Sequence, residues 1–308
     1  MYYNCEKHIE AYVDSFKRTQ ESREEKEGLV LPQMEDLTYL EEELVKLFFP
    51  GLSGGESRAK LNNVIKYHME NVTRLLIDSI YLAYCYEDKG EHDCRIWETK
   101  AIEVVDDLAA TFPEIRNRLK LDAVAGYRGD PAAKSVHEVI LSYPGIHAMA
   151  IHRVAHFLYR KGVPLIPRMM TELVHRTTGI DIHPGAEIGD YCFIDHGTGI
   201  VIGESAIIGN HVKLYQGVTL GAISFKKDAE GNIMKEGKRH PTIEDGCTIY
   251  ANATILGDVT IGRNSVIGSS TWIREDIPPC SLVTAQMPKI SIRKRLDDPC
   301  CCEEPQNK

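Results

Sequence analysis

Two clusters of polar side chains in the second half of the chain have the residue types that proton transfer and substrate binding need. The first contains Asp195 and His196, with Asp181 fifteen positions upstream. A carboxylate on one imidazole nitrogen fixes the tautomer and leaves the other nitrogen free to take a proton from a hydroxyl or an amine. The pattern therefore predicts His196 as a general base oriented by Asp181, with a purely structural histidine as the alternative.

The second cluster is Arg239-His240-Pro241, whose arginine can bind a carboxylate through two parallel hydrogen bonds. It ends an insert, residues 221–242, that interrupts the surrounding repeat, and loops on a rigid scaffold commonly carry function. The insert is rich in basic residues: Lys226, Lys227, Lys235, Lys238 and Arg239. This charge suits a phosphate-bearing ligand, and a solvated lysine loop is an equal alternative.

Around both clusters an aliphatic residue returns at every sixth position. These residues are Ile182, Ile188, Ile194, Ile202, Ile208, Leu214, Leu220, Ile243, Ile249, Ile255, Ile261, Ile267 and Ile273. Six residues turn an α-helix by about 600° and would scatter these side chains over three faces, whereas in extended chain they share one side. The repeat is typical of a parallel β-helix, here of about four coils. An ordinary β-sandwich with irregular turns would not keep this register.

The first half of the chain has helical periodicity instead. Residues 1–50 combine apolar spacing with many charges, and Leu61 to Ile80 largely follow the spacing of an amphipathic helix. Pro144-Gly145 separates two later helices. We therefore predict an α+β chain with an all-α helical domain over residues 1–178, a parallel β-helix over 179–290 and a disordered tail over 291–308.

Composition restricts the partners of the chain. Its 308 residues carry a formal net charge of −9, which disfavours nucleic acid or an anionic membrane as partner. No apolar run approaches the ~18 residues of a membrane span, and the first residues lack a basic then apolar leader, so we expect a cytoplasmic protein. The nine cysteines are an odd number without paired spacing, and we predict reduced thiols and no metal site.

Several motifs together resemble serine O-acetyltransferase, a hexapeptide-repeat acyltransferase. They are GDPAA (129–133), HRVAHFLY (152–159), DIHPGAEIG (181–189), DHGTGIVIGE (195–204), GVTLGA (217–222) and KRHPTI (238–243). Hexads alone indicate only the acyltransferase superfamily. The helical part with Asp-Pro-Ala, together with Asp-His-x-Thr-Gly and Arg-His-Pro, narrows the resemblance to this branch, over roughly residues 60–290.

The resemblance implies a left-handed β-helix assembled as homotrimers or dimers of trimers, with the active site between neighbouring prisms. It implies transfer of the acetyl group of acetyl-CoA, a co-substrate, to the hydroxyl of L-serine, the first step of cysteine biosynthesis from serine. His196 matches the family's general base, and Asp181 the residue that orients it. The positions that hold the amino acid match Asp130, Asp195, Arg239 and His240. Those near acetyl-CoA match Gly221, Ala222, Ala251, Asn252 and Ser269.

Departures from the family pattern concern the acetyl-CoA contacts and the partners. The chain has TLGA and a long insert where members usually have TLGG and a short glycine-rich loop. Many members end in an isoleucine that enters the active site of O-acetylserine sulfhydrylase. This sequence ends in Gln306-Asn307-Lys308, so we expect weak or absent complex formation with that enzyme. Inhibition by L-cysteine at the serine site is a further family expectation.

Two other functions fit parts of the pattern. An acyltransferase acting on homoserine, an amino sugar or another hydroxyl would use the same base, but the paired charges of Asp130 and Arg239 suit a zwitterion better than a sugar. A non-catalytic scaffold, or an ion-binding trimer like the γ-carbonic anhydrases, would need several histidine ligands across an interface. Here His196 follows an acidic residue and His240 follows a basic residue instead.

Overall fold

A computed structural model of the chain describes residues 31–53, 58–88, 93–224, 228, 231–234, 237–286 and 291. The predictions for residues 1–30, for Lys226, Lys227 and Lys235, and for the tail after residue 291 lie outside this part. The described residues form helices followed by a left-handed solenoid of short parallel strands, which confirms the predicted α+β class.

Six α-helices precede the strands in the described part of the chain. They are α1 (Met34–Phe48), α2 (Arg58–Asp88), α3 (Cys94–Gly129), α4 (Val136–Ser142), α5 (Pro144–Arg160) and α6 (Ile166–Thr178), with a 3₁₀ turn at Pro50–Ser53. α1 buries Leu37, Leu40 and Leu44, whose spacing places them on one helical face. None of the described helices combines the length and the apolar character that a membrane crossing requires.

The strands pair only in parallel and form the three sides of a prism. Sheet 1 contains β1 (Ile180–Ile182), β4 (Ile200–Ile202), β7 (Thr219–Gly221), β10 (Thr254–Leu256) and β13 (Trp272–Ile273). Sheet 2 contains β2 (Glu187–Ile188), β5 (Ile207–Ile208), β8 (Thr242–Ile243) and β11 (Thr260–Ile261). Sheet 3 contains β3 (Phe193–Ile194), β6 (Lys213–Leu214), β9 (Thr248–Ile249), β12 (Val266–Ile267) and β14 (Leu282–Val283).

The aliphatic residues of the predicted six-residue repeat are the residues that stack on one another in the solenoid. Ile182, Ile202, Leu220, Ile255 and Ile273 pair in succession along sheet 1, and all five side chains are buried. Each contributes about 1.5–3 kcal/mol by leaving water. The solenoid has about five turns rather than about four, because a last, irregular coil from Trp272 to Val283 continues the stack.

Two edges of the prism contain most of the predicted site residues. The turns 195–199, 215–218, 250–253 and 268–271 join sheet 3 to sheet 1, and we call them the His196 edge. The turns 183–186, 203–206, 222–241 and 257–259 join sheet 1 to sheet 2, and we call them the Arg239 edge. The insert leaves the prism at the Arg239 edge, and β7 still pairs directly with β10, so the coil stays intact.

The helical part is fixed to the base of the prism by buried charges and close packing. Arg153 Nη2 donates to Asp122 Oδ2 at 2.6 Å, and Asp122 Oδ1 accepts from the Cys192 amide at 3.0 Å. At the end of α3, a Cβ on Gly129 would lie 2.6 Å from the Phe193 ring, so glycine permits this approach. The contact places the residue after α3 beside the end of β3.

Candidate active site

The His196 edge begins where β3 ends at Ile194. His196 lies in the left-handed backbone region with a φ of 60°, in a turn that is two residues longer than the next turn of this edge. The extra residues of this turn therefore present the imidazole outside the regular ladder of corners, in which Gly199, Gly217, Asn252 and Ser270 follow one another. The His196 side chain is 67% exposed, and its Nδ1 lies 3.8 Å from Asp195 Oδ1. An exposed imidazole beside a buried carboxylate can take a proton from a bound hydroxyl.

Asp130 lies at the same edge because α3 ends one residue before it. Its backbone is extended, as predicted for a residue before proline, with φ −111° and ψ 113°. Oδ1 accepts from the Ala132 amide at 2.8 Å, and Oδ2 accepts from the Tyr143 hydroxyl. The Tyr143 hydrogen bond, followed by that of Ala132, lowers the pKa of Asp130. The Asp130 carboxylate is therefore held ionised and in a fixed orientation.

The second carboxylate at this edge has a different environment. Burial raises the pKa of Asp195, and the nearby charge of Asp130 acts in the same direction, while His196 opposes both. Two carboxylates that interact with one imidazole form an anionic pocket, which suits an ammonium group. The structure thus brings together three of the predicted site residues: Asp130, Asp195 and His196.

The Arg239 edge contains a chain of hydrogen bonds. Arg239 Nη2 donates to Glu204 Oε2, and the Tyr159 hydroxyl donates to Glu204 Oε1 at 2.6 Å. Although burial alone would raise the pKa of Glu204, these two hydrogen bonds lower it. Lys238 Nζ donates to the carbonyls of Ser205 and His240, both at 2.6 Å, and fixes the end of the insert. The guanidinium is thereby held at the prism surface.

His240 is bound by Ser205 in one tautomer. The Ser205 amide donates to His240 Nδ1 at 3.1 Å, and the Ser205 hydroxyl lies 2.9 Å from the same nitrogen. The proton of the neutral ring is therefore on Nε2. Burial, and after it the charge of Arg239, lowers the pKa of His240 to about 4. The ring is a neutral hydrogen-bond donor at physiological pH.

The predicted partner of His196 has other contacts within the chain. Asp181 occupies the outward position of β1 between buried isoleucines, and its Oδ1 lies 3.6 Å from Arg168 Nη1. Among the described residues no hydrogen bond or ion pair joins Asp181 to His196. The orientation of His196 by Asp181 stays a prediction.

Asp181 also belongs to a group that has the residue types of a metal site. One ligand atom each of Glu172, His175 and Asp181 lies within 4.8 Å of the others. Arg168 forms ion pairs with both carboxylates of this group, which places a fixed positive charge beside them. Such a neighbour disfavours a bound cation.

The residues predicted to contact acetyl-CoA are divided between the two edges. Ala251, Asn252 and Ser269 lie in turns of the His196 edge. Gly221 and Ala222 lie where β7 ends, at the Arg239 edge. The predicted amino-acid contacts are divided in the same way, with Asp130 and Asp195 at the first edge and Arg239 and His240 at the second. Each edge therefore carries one group of the predicted contacts, and we call these two groups the half-sites.

Three polar residues that support these half-sites were not predicted from the sequence. Glu204 lies inside the motif DHGTGIVIGE, and a carboxylate at a corner that needs only a small residue was an available signal. Tyr143 and Tyr159 lie at opposite ends of α5 in the helical part, and no spacing relates them to residues of the prism. Their roles depend on how the helices dock.

A family model and several known proteins match the chain. The model described as bacterial transferase hexapeptide (six repeats) matches residues 240–275, within the later coils of the prism. The plasmid serine acetyltransferase of Synechococcus elongatus is 40% identical over 260 residues, which is 82% of this chain and 82% of that protein.

Solved structures are similar over the same extent. Isoform 3 of serine acetyltransferase from Entamoeba histolytica, crystallised in complex with cysteine, is 41% identical with a TM-score of 0.70 and covers 83% of this chain and 84% of that chain. Soybean serine acetyltransferase complexed with serine is 26% identical with a TM-score of 0.52 and covers 81% and 97%. The similarity includes both the helices that carry Asp130 and the prism that carries His196.

Proposed function

The chain belongs to the serine acetyltransferase family, and from that premise we propose that it transfers the acetyl group of acetyl-CoA to the hydroxyl of L-serine. The products are O-acetyl-L-serine and CoA, and the reaction is the first step of cysteine biosynthesis from serine. The observation that carries the proposal is the grouping of Asp130, Asp195 and His196 at one edge of a hexapeptide prism. It combines a base with an ammonium-binding pocket.

We propose that a complete site forms between two copies of the chain. The His196 edge has the base and the carboxylates, the Arg239 edge has the guanidinium, and sheet 1 separates them. A neighbouring copy that turns its Arg239 edge to the His196 edge completes one site and leaves its own His196 edge for the next copy. A head-to-tail contact of this kind forms a closed ring when its rotation closes, and the family resemblance implies a ring of three copies. The assembly is then a trimer, or a dimer of trimers.

In this site the two charges of L-serine meet opposite charges. Arg239 binds the substrate carboxylate through two hydrogen bonds, and the neutral His240 Nε2–H donates beside it. Asp130 and Asp195 bind the ammonium group. The lowered pKa of Asp130 keeps this carboxylate negative near neutral pH. The hydroxyl is thereby directed to His196.

The reaction then needs one base and one oxyanion site. His196 accepts the serine hydroxyl proton as the oxygen attacks the thioester carbonyl of acetyl-CoA, and the tetrahedral intermediate carries negative charge on the former carbonyl oxygen. Backbone N–H groups near Gly221 stabilise that charge. The intermediate expels the CoA thiolate, which takes the proton from the His196 imidazolium.

We propose direct transfer without an acyl-enzyme. Cys192 is buried in the prism, and burial raises the pKa of its thiol to about 12, so it supplies no thiolate near neutral pH. Cys247 is also buried, and burial raises its pKa in the same way. The two cysteines inside the prism are therefore unsuited to carry the acetyl group, which supports a direct transfer with both substrates bound together.

The experiment that tests the proposal is thiol release from acetyl-CoA by the purified full-length chain. L-serine, L-homoserine and an amino sugar are offered in parallel, and the wild type is compared with His196→Ala. We expect release with L-serine and its loss in the variant. Release with a different acceptor, or equal rates in both proteins, would contradict the assignment of substrate or base.

A further inference from the structure

Each end of α5 carries a tyrosine that binds a carboxylate at one of the two half-sites. Tyr143 immediately precedes the helix, and its hydroxyl donates to Asp130 Oδ2 at the His196 edge. Tyr159 lies in the last turn, and its hydroxyl donates to Glu204 Oε1 at the Arg239 edge at 2.6 Å. The helix has 17 residues and spans about 25 Å.

The Tyr143 contact completes the orientation of Asp130. Oδ2 receives the tyrosine hydroxyl, and Oδ1 receives the Ala132 amide at 2.8 Å. With one donor on each oxygen the carboxylate plane cannot turn freely, and each oxygen keeps a lone pair for the substrate ammonium group. Tyr143 touches the carboxylate and not the reacting atoms.

The Tyr159 contact acts one step further from the substrate. Glu204 has one donor on each oxygen, Tyr159 on Oε1 and Arg239 on Oε2. The tyrosine thereby fixes the plane of Glu204, and Glu204 fixes the guanidinium. A free Glu204 would allow Arg239 to change rotamer, because an arginine side chain has several soft torsions.

We propose that Tyr143 and Tyr159 are positioning residues for the amino-acid substrate: Tyr143 aligns Asp130 with the ammonium group, and Tyr159, through Glu204, aligns Arg239 with the carboxylate. This inference rests on the acetyl transfer to serine proposed above. Because the two half-sites of one chain serve different sites of the assembly, one helix aligns opposite ends of two substrates.

The two hydroxyls keep their protons under working conditions. The hydrogen bond to Asp130 raises the pKa of Tyr143 to about 12, and the hydrogen bond to Glu204 raises the pKa of Tyr159 to about 12. Both side chains therefore remain donors at any pH at which the enzyme works. The inward face of α5 is buried, with Ile151, Val154 and Leu158 nearly inaccessible, so the helix is a rigid support.

The test compares Tyr143→Phe and Tyr159→Phe with Tyr127→Phe, a control at an exposed tyrosine of α3. We expect the serine KM to rise about tenfold in each of the first two, the effect of one lost hydrogen bond to a charged group. The kcat and the KM for acetyl-CoA should change less than about twofold. A structural defect would lower kcat and change the KM of both serine and acetyl-CoA.

Two further readouts separate positioning from general damage. The double variant Tyr143→Phe/Asp130→Asn should have nearly the same serine KM as Asp130→Asn alone. The double variant Tyr159→Phe/Glu204→Gln should likewise have nearly the same serine KM as Glu204→Gln alone, because each tyrosine acts through its carboxylate. In Tyr143→Phe the pKa of Asp130 rises, so the weakening of serine binding that follows protonation of Asp130 should begin at a higher pH than in the wild type.

The outcomes distinguish this inference from the proposed function. A wild type without serine-dependent thiol release overturns the function and the inference together. An active wild type whose serine KM is unchanged in both phenylalanine variants, or whose double variants show fully additive losses, overturns the inference alone. A raised serine KM with the expected non-additivity supports both.

Discussion

Asp195 and Arg239 lie at two different edges of the same prism. Asp195 follows β3 on sheet 3, Arg239 precedes β8 on sheet 2, and the five strands of sheet 1 lie between these edges. A substrate as small as serine has an ammonium group and a carboxylate only a few ångströms apart and needs both residues at once. This separation supports the proposal that a second copy of the chain completes the site.

A glycine at the Arg239 edge provides a first prediction. An added Cβ at Gly203 would overlap the ring of His240, which is buried and bound by Ser205. In Gly203→Ala the ring must move and take the neighbouring Arg239 with it, so we expect kcat/KM for serine to fall at least about tenfold. Gly51→Ala is the control, because nothing lies within 4 Å of its added Cβ. Equal kinetics in both variants would contradict the prediction.

The buried ion pair between α3 and α5 provides a second prediction. The side chains of Asp122 and Arg153 are 0% and 3% exposed. Asp122→Ala leaves the guanidinium buried without its partner, and we expect the free energy of unfolding to fall by about 3–5 kcal/mol in urea titrations. Asp78→Ala removes the exposed partner of Arg74 and should cost less than about 1 kcal/mol. If the free energy of unfolding fell equally little in both variants, water would have to reach Arg153 in the folded chain.

His240 provides a pH prediction. Its folded pKa of about 4 is below the unfolded value of about 6.5, so between these values the unfolded chain binds the extra proton. Stability from this group is complete above the unfolded pKa and is lost as the pH falls, by about 2 kcal/mol between pH 7 and pH 5. His240→Asn, which keeps an acceptor for Ser205, should lose less stability over this interval, as measured by denaturant unfolding. An unchanged slope would show that the pKa of His240 is not lowered in the folded chain.

L-cysteine should compete with L-serine for the same groups. It has the same ammonium and carboxylate, and a relative from Entamoeba histolytica was crystallised in complex with cysteine. We expect inhibition that is competitive with serine, and Asp130→Asn should weaken cysteine inhibition and serine binding in parallel. Initial rates at several concentrations of both amino acids measure this. Activity that is insensitive to millimolar cysteine would contradict a shared subsite.

The sequence predicted the prism well because a six-residue register leaves few alternatives. Ile182 and Ile202 must share a face in extended chain, and only stacked coils bury both. The candidate site residues were chosen where polar residues break that register, as at His196, and their roles stay predictions. The residues that hold the candidate site residues in place were not predicted. Tyr143 contacts Asp130 only because of the way the helices dock, which no local spacing encodes.

Asp181 illustrates the limit for a residue that was predicted. Its distance of fifteen positions from His196 indicates that the two lie in neighbouring parts of the solenoid, but spacing does not specify rotamers or the competition of other charges. Within the chain Arg168 pairs with this carboxylate. In the proposed trimer a partner prism changes the surroundings of Asp181, and the sequence of one chain has no pattern that specifies this.

The most direct test of a site shared between copies is activity in mixed oligomers of Asp195→Asn and Arg239→Ala, two variants expected to be inactive alone. When the two variants are co-expressed in equal amounts and assemble at random, about a quarter of the sites combine the intact His196 edge of one variant with the intact Arg239 edge of the other. A site shared between copies predicts recovery of serine-dependent thiol release to about a quarter of the wild-type rate. No recovery, in oligomers proven to contain both chains, would contradict it, since each site would then belong to one chain.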